Sequence, residues 1–178
     1  GGQAGASAML DVITGKVNPS GKLNETYPIC YEDTPAYAYY PGKERNSEYR
    51  EGVYVGYRYY DTVKKEVLFP FGFGLSYTDF TYSNLKLSEN SVRFCITNVG
   101  KIAGAEIAQL YIEKENPAVF RPVHELKGFC KVFLQPGETR EVEIPFENRT
   151  FKYFNAQTGN WETEEGNYKI MIAKNSRE

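Results

Sequence analysis

The chain has 178 residues, a formal net charge of −2, 41% hydrophobic and 25% charged residues, a balance that suits a globular protein with a sizeable core. Its Lys and Arg are scattered, which excludes the basic face that nucleic-acid binding needs, and no apolar run approaches the roughly 18 residues of a membrane-spanning helix. Cys30, Cys95 and Cys130 stand at wide, irregular spacing beside a single histidine, which excludes the common zinc patterns and argues against a disulfide framework. No metal and no cofactor is therefore expected, and free, mostly buried thiols fit a reducing, cytoplasmic compartment.

The chain opens on Gly1-Gly2-Gln3 without an initiator methionine and moves straight into a helical pattern over residues 4–14. Ala4, Ala8 and Val12 share one face there, and Gly15 is placed as a stop. A turn at residues 18–21 and a short extended segment at 22–28 come next. One helix and one strand cannot bury a core alone. This opening is expected to be a piece of something longer that leans on an absent part or packs on the residues after it.

Residues 29–50 are rich in Pro, Tyr and charge without a helical or strand period, and read as a long ordered loop linking two domains. The stretch "EGVYVGYRYYDTVKKEVLFPFGFGLSYTDF" (51–80) is densely aromatic. Alternation over residues 53–60 predicts a strand covered on both faces. Arg58 inside it needs a partner, with Glu51 or Asp61 nearest. In "FPFGFGLSY" the glycines allow tight turning while Phe71 and Phe73 anchor the chain.

From residue 81 onward the rhythm is all β. Strands are predicted at 82–87, 91–97, 105–114, 125–134, 140–145, 151–155 and 167–173, separated by turn sequences such as Asn98-Val99-Gly100 and Thr158-Gly159-Asn160. Seven short strands without the Cys–Trp–Cys arrangement of antibody domains predict an immunoglobulin-like sandwich of the fibronectin type III style. Phe94, Tyr111, Phe129, Phe133 and Phe146 fit inward positions, and Trp161 is expected in the core.

The motifs "NPSGKL.ET.P", "EGVYVGYRYYD", "LFPFGFGLSYT.F.YS.L", "TNVGKIAGAEIAQLYI", "RPVHELKGF" and "LQPGE" occur in this order. Together they resemble family 3 glycoside hydrolases, the β-glucosidase family, over essentially the whole chain. The resemblance implies a larger enzyme with a (β/α)8-like barrel, an α/β sandwich domain and a C-terminal fibronectin type III-like domain. Residues 1–28 would then end the α/β sandwich, 29–80 form the linker and aromatic seam, and 81–178 the C-terminal domain. Such enzymes hydrolyse β-glucosides with retention, using an aspartate nucleophile and a glutamate acid/base about 5 Å apart. Both lie upstream in the family, so no catalytic residue is assigned here. Relatives read Phe-Gly-His-Gly-Leu-Ser-Tyr where this chain has Phe73, a change that suits packing.

Each candidate group has a bland reading as well. Glu51 and Asp61 invite assignment as an acid/base pair, yet Arg58 between them would lower both pKa values, and a general acid needs the opposite. Glu51, Arg58, Asp61, Phe71 and Phe73 are read as a structural seam. His124, where relatives accept lysine, is not read as catalytic. The linker tyrosines Tyr37, Tyr39, Tyr40 and Tyr49 are the best candidates for substrate contact. The leading expectation is the C-terminal part of an exo-acting β-glucosidase, inactive alone, whose partners are the upstream catalytic domains and, through them, a β-glucoside. A free-standing carbohydrate-binding module or a dimerising domain (a homo-oligomer) are the alternatives.

Overall fold

The computed structural model describes residues 2–42 and 45–178. Two helices, α1 (Gly5–Ile13) and α2 (Tyr57–Thr62), and a 3-10 turn at Tyr31–Asp33 accompany ten strands: β1 (Tyr27–Pro28), β2 (Val67–Phe69), β3 (Phe80–Leu87), β4 (Ser91–Asn98), β5 (Gly104–Lys114), β6 (Glu125–Leu134), β7 (Thr139–Pro145), β8 (Lys152–Asn155), β9 (Asn160–Thr163) and β10 (Tyr168–Ala173). The fold is mainly β, and all seven strands predicted beyond residue 81 are present. Strand β9, which the sequence pattern does not predict, pairs with β8 across the 158–160 turn. Among the described residues no helix is long and apolar enough to cross a membrane.

The chain divides into two compact units. The first comprises Gly1–Lys22, Gly74–Ala108 and Cys130–Pro145; the second comprises Leu23–Phe73, Gln109–Phe129 and Phe146–Glu178. In the first unit β3, β4 and β7 form an antiparallel sheet in that order. Period-two alternation buries Val92, Phe94 and Ile96 of β4 almost completely and leaves Arg93 outside, paired with Glu143 across the sheet at 3.1 Å. The same alternation corrects the expectation for Phe133. Val132 and Leu134 of β6 are buried, so Phe133 between them points outward and is exposed.

A buried side chain organises this unit's turn. Asn98 is fully buried and makes four hydrogen bonds. Its Nδ2 donates to the Ile102 and Leu134 carbonyls at 2.8 and 3.1 Å, and its Oδ1 accepts from Thr78 Oγ1 at 2.6 Å and Gly100 N at 3.1 Å. A carboxamide with its hydrogen-bonding capacity met this way fixes the turn after β4.

The opening segment is stitched to this unit beyond its helix. Asn18 Nδ2 donates to the Ala103 carbonyl, its Oδ1 accepts from Tyr77 N, and Tyr77 Oη donates to the Val12 carbonyl at 2.7 Å. Lys22 meets the buried Glu106 at 3.0 Å, and Tyr82 Oη donates to the same carboxylate. Helix α1 itself has no buried residue, with Met9, Leu10 and Ile13 all exposed.

In the second unit β10 pairs antiparallel with the second half of β5, from Tyr168 opposite Lys114 to Ala173 opposite Gln109. Residues 125–129 of β6, the short pair β1–β2 and the β8–β9 hairpin complete its strands. Leu110, Tyr111, Ile112, Tyr57 and Tyr60 are its buried apolar side chains. Phe129 is exposed and Trp161 is 42% exposed, so neither lies in the core as expected. Trp161 sits on the short β9, whose only strand partner among the described residues is β8, and one hairpin cannot cover so large a ring. The cysteines are free, but Cys30 is exposed and Cys95 and Cys130 are half-buried, less covered than expected. The hydrogen bond to Asp33 and partial desolvation raise the Cys30 thiol above its usual range, so exposure does not make it a ready nucleophile.

Candidate functional site

The aromatic stretch departs from its expected strand. Gly52 and Gly56 adopt φ of +59° and +54°, a region that side chains disfavour, and the backbone turns at each before coiling into α2. As a helix, residues 57–62 place Tyr57, Tyr60 and Asp61 at the i, i+3, i+4 positions of one face. Tyr57 and Tyr60 are the two buried residues of α2. Alternation over residues 53–60 fits a strand, but burial of Tyr57 and Tyr60 on one helical face overrides it here.

Helix α2 holds two other segments of its unit. Tyr57 Oη accepts from Leu126 N at 2.8 Å and Thr62 Oγ1 accepts from Val123 N at 3.0 Å, which fixes the entry to β6. The Tyr57 ring packs on Phe71 at 4.8 Å and lies nearly parallel to His124 at 5.9 Å, while Tyr111 meets His124 edge-on at 5.3 Å. Burial first of all raises the Tyr57 phenol above its ordinary value, so it remains a neutral hydrogen-bonding group.

Asp61 is the centre of this arrangement. Its side chain is 5% exposed. Oδ2 lies 3.2 Å from His124 Nε2, and Oδ1 accepts from Arg177 Nε at 2.7 Å, while Arg177 Nη2 donates to the Lys65 carbonyl. Burial pushes the Asp61 carboxyl upward, but the hydrogen bonds from His124 and Arg177 outweigh it and hold the group below the usual carboxylate range. Arg58 does not pair with Glu51 or Asp61, as expected from sequence. It reaches Glu125 at 3.3 Å, and Lys127 shares that carboxylate at 3.3 Å. The helix explains the change. Asp61 shares the inward face of Tyr57 and Tyr60, where His124 and Arg177 occupy both its oxygens, and Arg58 lies outside that face and turns to β6.

The chain end is tied in by the same neighbourhood. Gln109 Nε2 donates to the carbonyls of Gly72 and Lys174 at 3.2 and 2.7 Å, Tyr111 Oη donates to Gln109 Oε1, and Ser176 N donates to the Phe71 carbonyl. Gly72 has φ +80°, and a Cβ there would fall inside the Gln109 carboxamide. Phe73 packs on Phe69 at 5.0 Å, and Glu51 offers its backbone carbonyl to Tyr54 N.

A cleft of about 670 Å³ opens beside Asp61 and His124, lined also by Tyr111, Glu113, Lys169 and residues 175–178. Its acids have partners: Asp61 has two, Glu113 has Lys169 at 3.7 Å, and Glu178 Oε2 accepts from Asn175 Nδ2 at 3.0 Å. A carboxyl held below its normal range does not donate a proton at neutral pH. Asp61 can fasten chain segments, but it is no general acid. Among the described residues, no group of three His, Cys, Asp or Glu side chains converges as a metal site.

The four candidate tyrosines lie apart from this network. Tyr37, Tyr39, Tyr40 and Tyr49 are all exposed, Tyr49 the most at 89%. Tyr37 meets Tyr31 edge-on at 5.1 Å, and the Arg50 guanidinium, paired with Glu48, lies 4.7 Å from the centre of the Tyr39 ring. His124, Gln109, Asn98 and Arg177 carry structural roles that the sequence does not announce. Only the pairing of Asp61 with a basic neighbour was foreseeable, and the partner was not.

Comparison with known proteins sets these observations in a family. Residues 1–77 match the pattern described as the glycosyl hydrolase family 3 C-terminal domain, and residues 106–176 match the fibronectin type III-like domain. The chain is 49% identical over 186 aligned residues to thermostable beta-glucosidase B of Acetivibrio thermocellus, covering 100% of this chain and 25% of that protein. It is 42% identical to an exo-alpha-(1->6)-L-arabinopyranosidase of Bifidobacterium breve, covering 99% of this chain and 24% of that one. The crystal structure of the Bifidobacterium adolescentis GH3 beta-glucosidase superposes with a TM-score of 0.92 at 43% identity, over 98% of this chain and 27% of that one. The chain thus spans about a quarter of the length of the relatives it matches. With both patterns in order and such identity along its whole length, the chain belongs to glycoside hydrolase family 3 and corresponds to the C-terminal part of its β-glucosidase-like proteins.

Proposed function

We propose that this chain is the C-terminal portion of a retaining, exo-acting β-glucosidase in which it braces the catalytic domains and supplies neither catalytic carboxylate. The observation that carries this reading is the 49% identity along the full chain to a β-glucosidase about four times as long. The absence of an available acid at Asp61 supports it, because hydrolysis with retention needs one carboxyl with a raised pKa and a second about 5 Å away. The exposed linker tyrosines are the side chains of this chain proposed to reach toward substrate, since a tyrosine ring covers sugar C–H faces while its hydroxyl hydrogen-bonds.

The test is to express the full-length polypeptide and the 178-residue chain separately and assay both on p-nitrophenyl β-D-glucoside, following the anomer released by NMR. Hydrolysis with retention by the full-length protein and none by the chain is expected. Hydrolysis by the chain alone would overturn the assignment of the carboxylates to upstream domains. The arabinopyranosidase relative makes p-nitrophenyl α-L-arabinopyranoside the second substrate to assay.

A further inference from the structure

Away from Asp61, the second unit carries another cleft, of about 440 Å³, between the entry to β6 and the β8–β9 hairpin. Its walls are aromatic: Trp161, Phe154, Tyr153 and Phe120 line it, and Phe120 is 79% exposed. Phe120 is stacked on Tyr54 at 5.2 Å, and Phe154 meets Trp161 edge-on at 5.7 Å, so these rings are held by one another. The Arg149 guanidinium lies 4.5 Å from the centre of the Trp161 ring, which still leaves the tryptophan 42% exposed.

The charge lining the cleft is unbalanced. Arg58, Arg121, Lys127, Arg149 and Lys152 line it with Glu125 and Glu147, and Glu164 pairs with Arg121: five cations against three carboxylates, an excess of two. Arg58 and Lys127 already share Glu125. Arg121 sits 3.8 Å from Glu164, and its buried Nη2 makes no hydrogen bond. Arg149 and Lys152 have no ion pair among the described residues; Lys152 donates only to the Asn148 side chain. The exposed Arg149 and the half-buried Lys152, neither with a carboxylate partner among the described residues, favour an anion. Flat exposed rings beside them favour a ligand with apolar C–H faces.

We propose that this cleft is an accessory binding site for an acidic glycan, a sugar chain bearing uronate carboxylates, with Trp161 and Phe154 stacking on a sugar ring and Arg149 and Lys152 receiving its carboxylates. A neutral glucan would leave the two-charge excess uncompensated. A polyphosphate needs an extended basic stripe, whereas these cations are confined to one cleft of a chain whose net charge is −2. The choice of a sugar among anions rests on the glycosidase reading above; the cleft's charge and rings do not.

The experiment is calorimetric titration of the full-length polypeptide with tetragalacturonic acid and, separately, with uncharged cellotetraose. The acidic tetrasaccharide is expected to bind, to weaken as salt is raised, and to lose about tenfold in affinity for each of Arg149→Gln and Trp161→Ala. Arg149 is an exposed side chain, so its variant carries the test if Trp161→Ala disturbs the hairpin. Equal affinity for cellotetraose, binding unchanged in Arg149→Gln, full competition by inorganic phosphate, or no binding to the full-length protein would each overturn the proposal. Binding is read without turnover, so failure of the hydrolysis assay and failure of this site are separate results.

Discussion

Removing the Asp61 carboxylate should loosen the entry to β6 and the chain end together. Two charge-assisted hydrogen bonds end on this group, one from Arg177 at 2.7 Å and one at His124 at 3.2 Å. Each such bond contributes about 1.5–3 kcal/mol. The lower figure applies here, because the Arg177 side chain is 30% exposed and solvent screens it. Asp61→Ala should therefore cost about 3 kcal/mol of local stability. Read by hydrogen exchange on the full-length protein, amides of residues 121–126 and 172–178 should exchange about two orders of magnitude faster. Asp61→Asn keeps the shape and an acceptor for Arg177, so it should fall between, at about 1–2 kcal/mol. The pH dependence has a definite sign. The folded carboxyl titrates below its unfolded value of about 3.9, so its stabilising contribution is complete above that pH and is lost as pH falls through the lower folded value. The difference between wild type and Asp61→Asn should shrink on acidification through that window. Exchange in both segments within about threefold of wild type for Asp61→Ala would refute the view that Asp61 fastens them.

Asn98→Ala leaves Thr78 Oγ1, Gly100 N and two carbonyls without their partner in a fully buried site; a cost of about 3 kcal/mol is expected, seen as a lower urea midpoint with an unchanged slope. Gly72→Ala demands φ +80° of a residue with a Cβ and displaces Gln109 from Gly72 and Lys174; protease cleavage near the chain end should rise sharply, while Gly137→Ala, whose added Cβ meets nothing within 4 Å, serves as the comparison for backbone strain alone. Phe73→His should shift the melting temperature by only a few degrees, since the ring packs on Phe69 at 5.0 Å. Arg58→Ala breaks a partly exposed pair with Glu125 and should cost about 1 kcal/mol while leaving the KM of the proposed β-glucoside hydrolysis by the full-length protein unchanged.

Several elements were written in local sequence. Strand β4 is legible because Val92, Phe94 and Ile96 alternate with polar residues, and one buried face imposes that period on any antiparallel strand. The turns at 135–138 and 158–160 were marked by Pro, Gly and Asn, whose backbone preferences act without help from the rest of the chain. The mainly β class came from such local signals added together. Strand β9 is hidden because four residues, "NWET", carry too little pattern to separate a strand from a loop.

What tertiary structure alone decided is the identity of partners. Tyr57 to Asp61 alternate well enough for a strand and sit well enough for a helix, and the buried positions of Tyr57 and Tyr60 settle it. Asp61 meets Arg177 across 116 positions of sequence and His124 across 63, separations over which no local preference acts. Phe133 and Trp161 read as core by composition, yet the first lies between two inward residues on β6 and the second stands on an edge hairpin. Hydrophobicity says that a side chain gains by burial. Whether any surface is there to bury it depends on how distant segments fold.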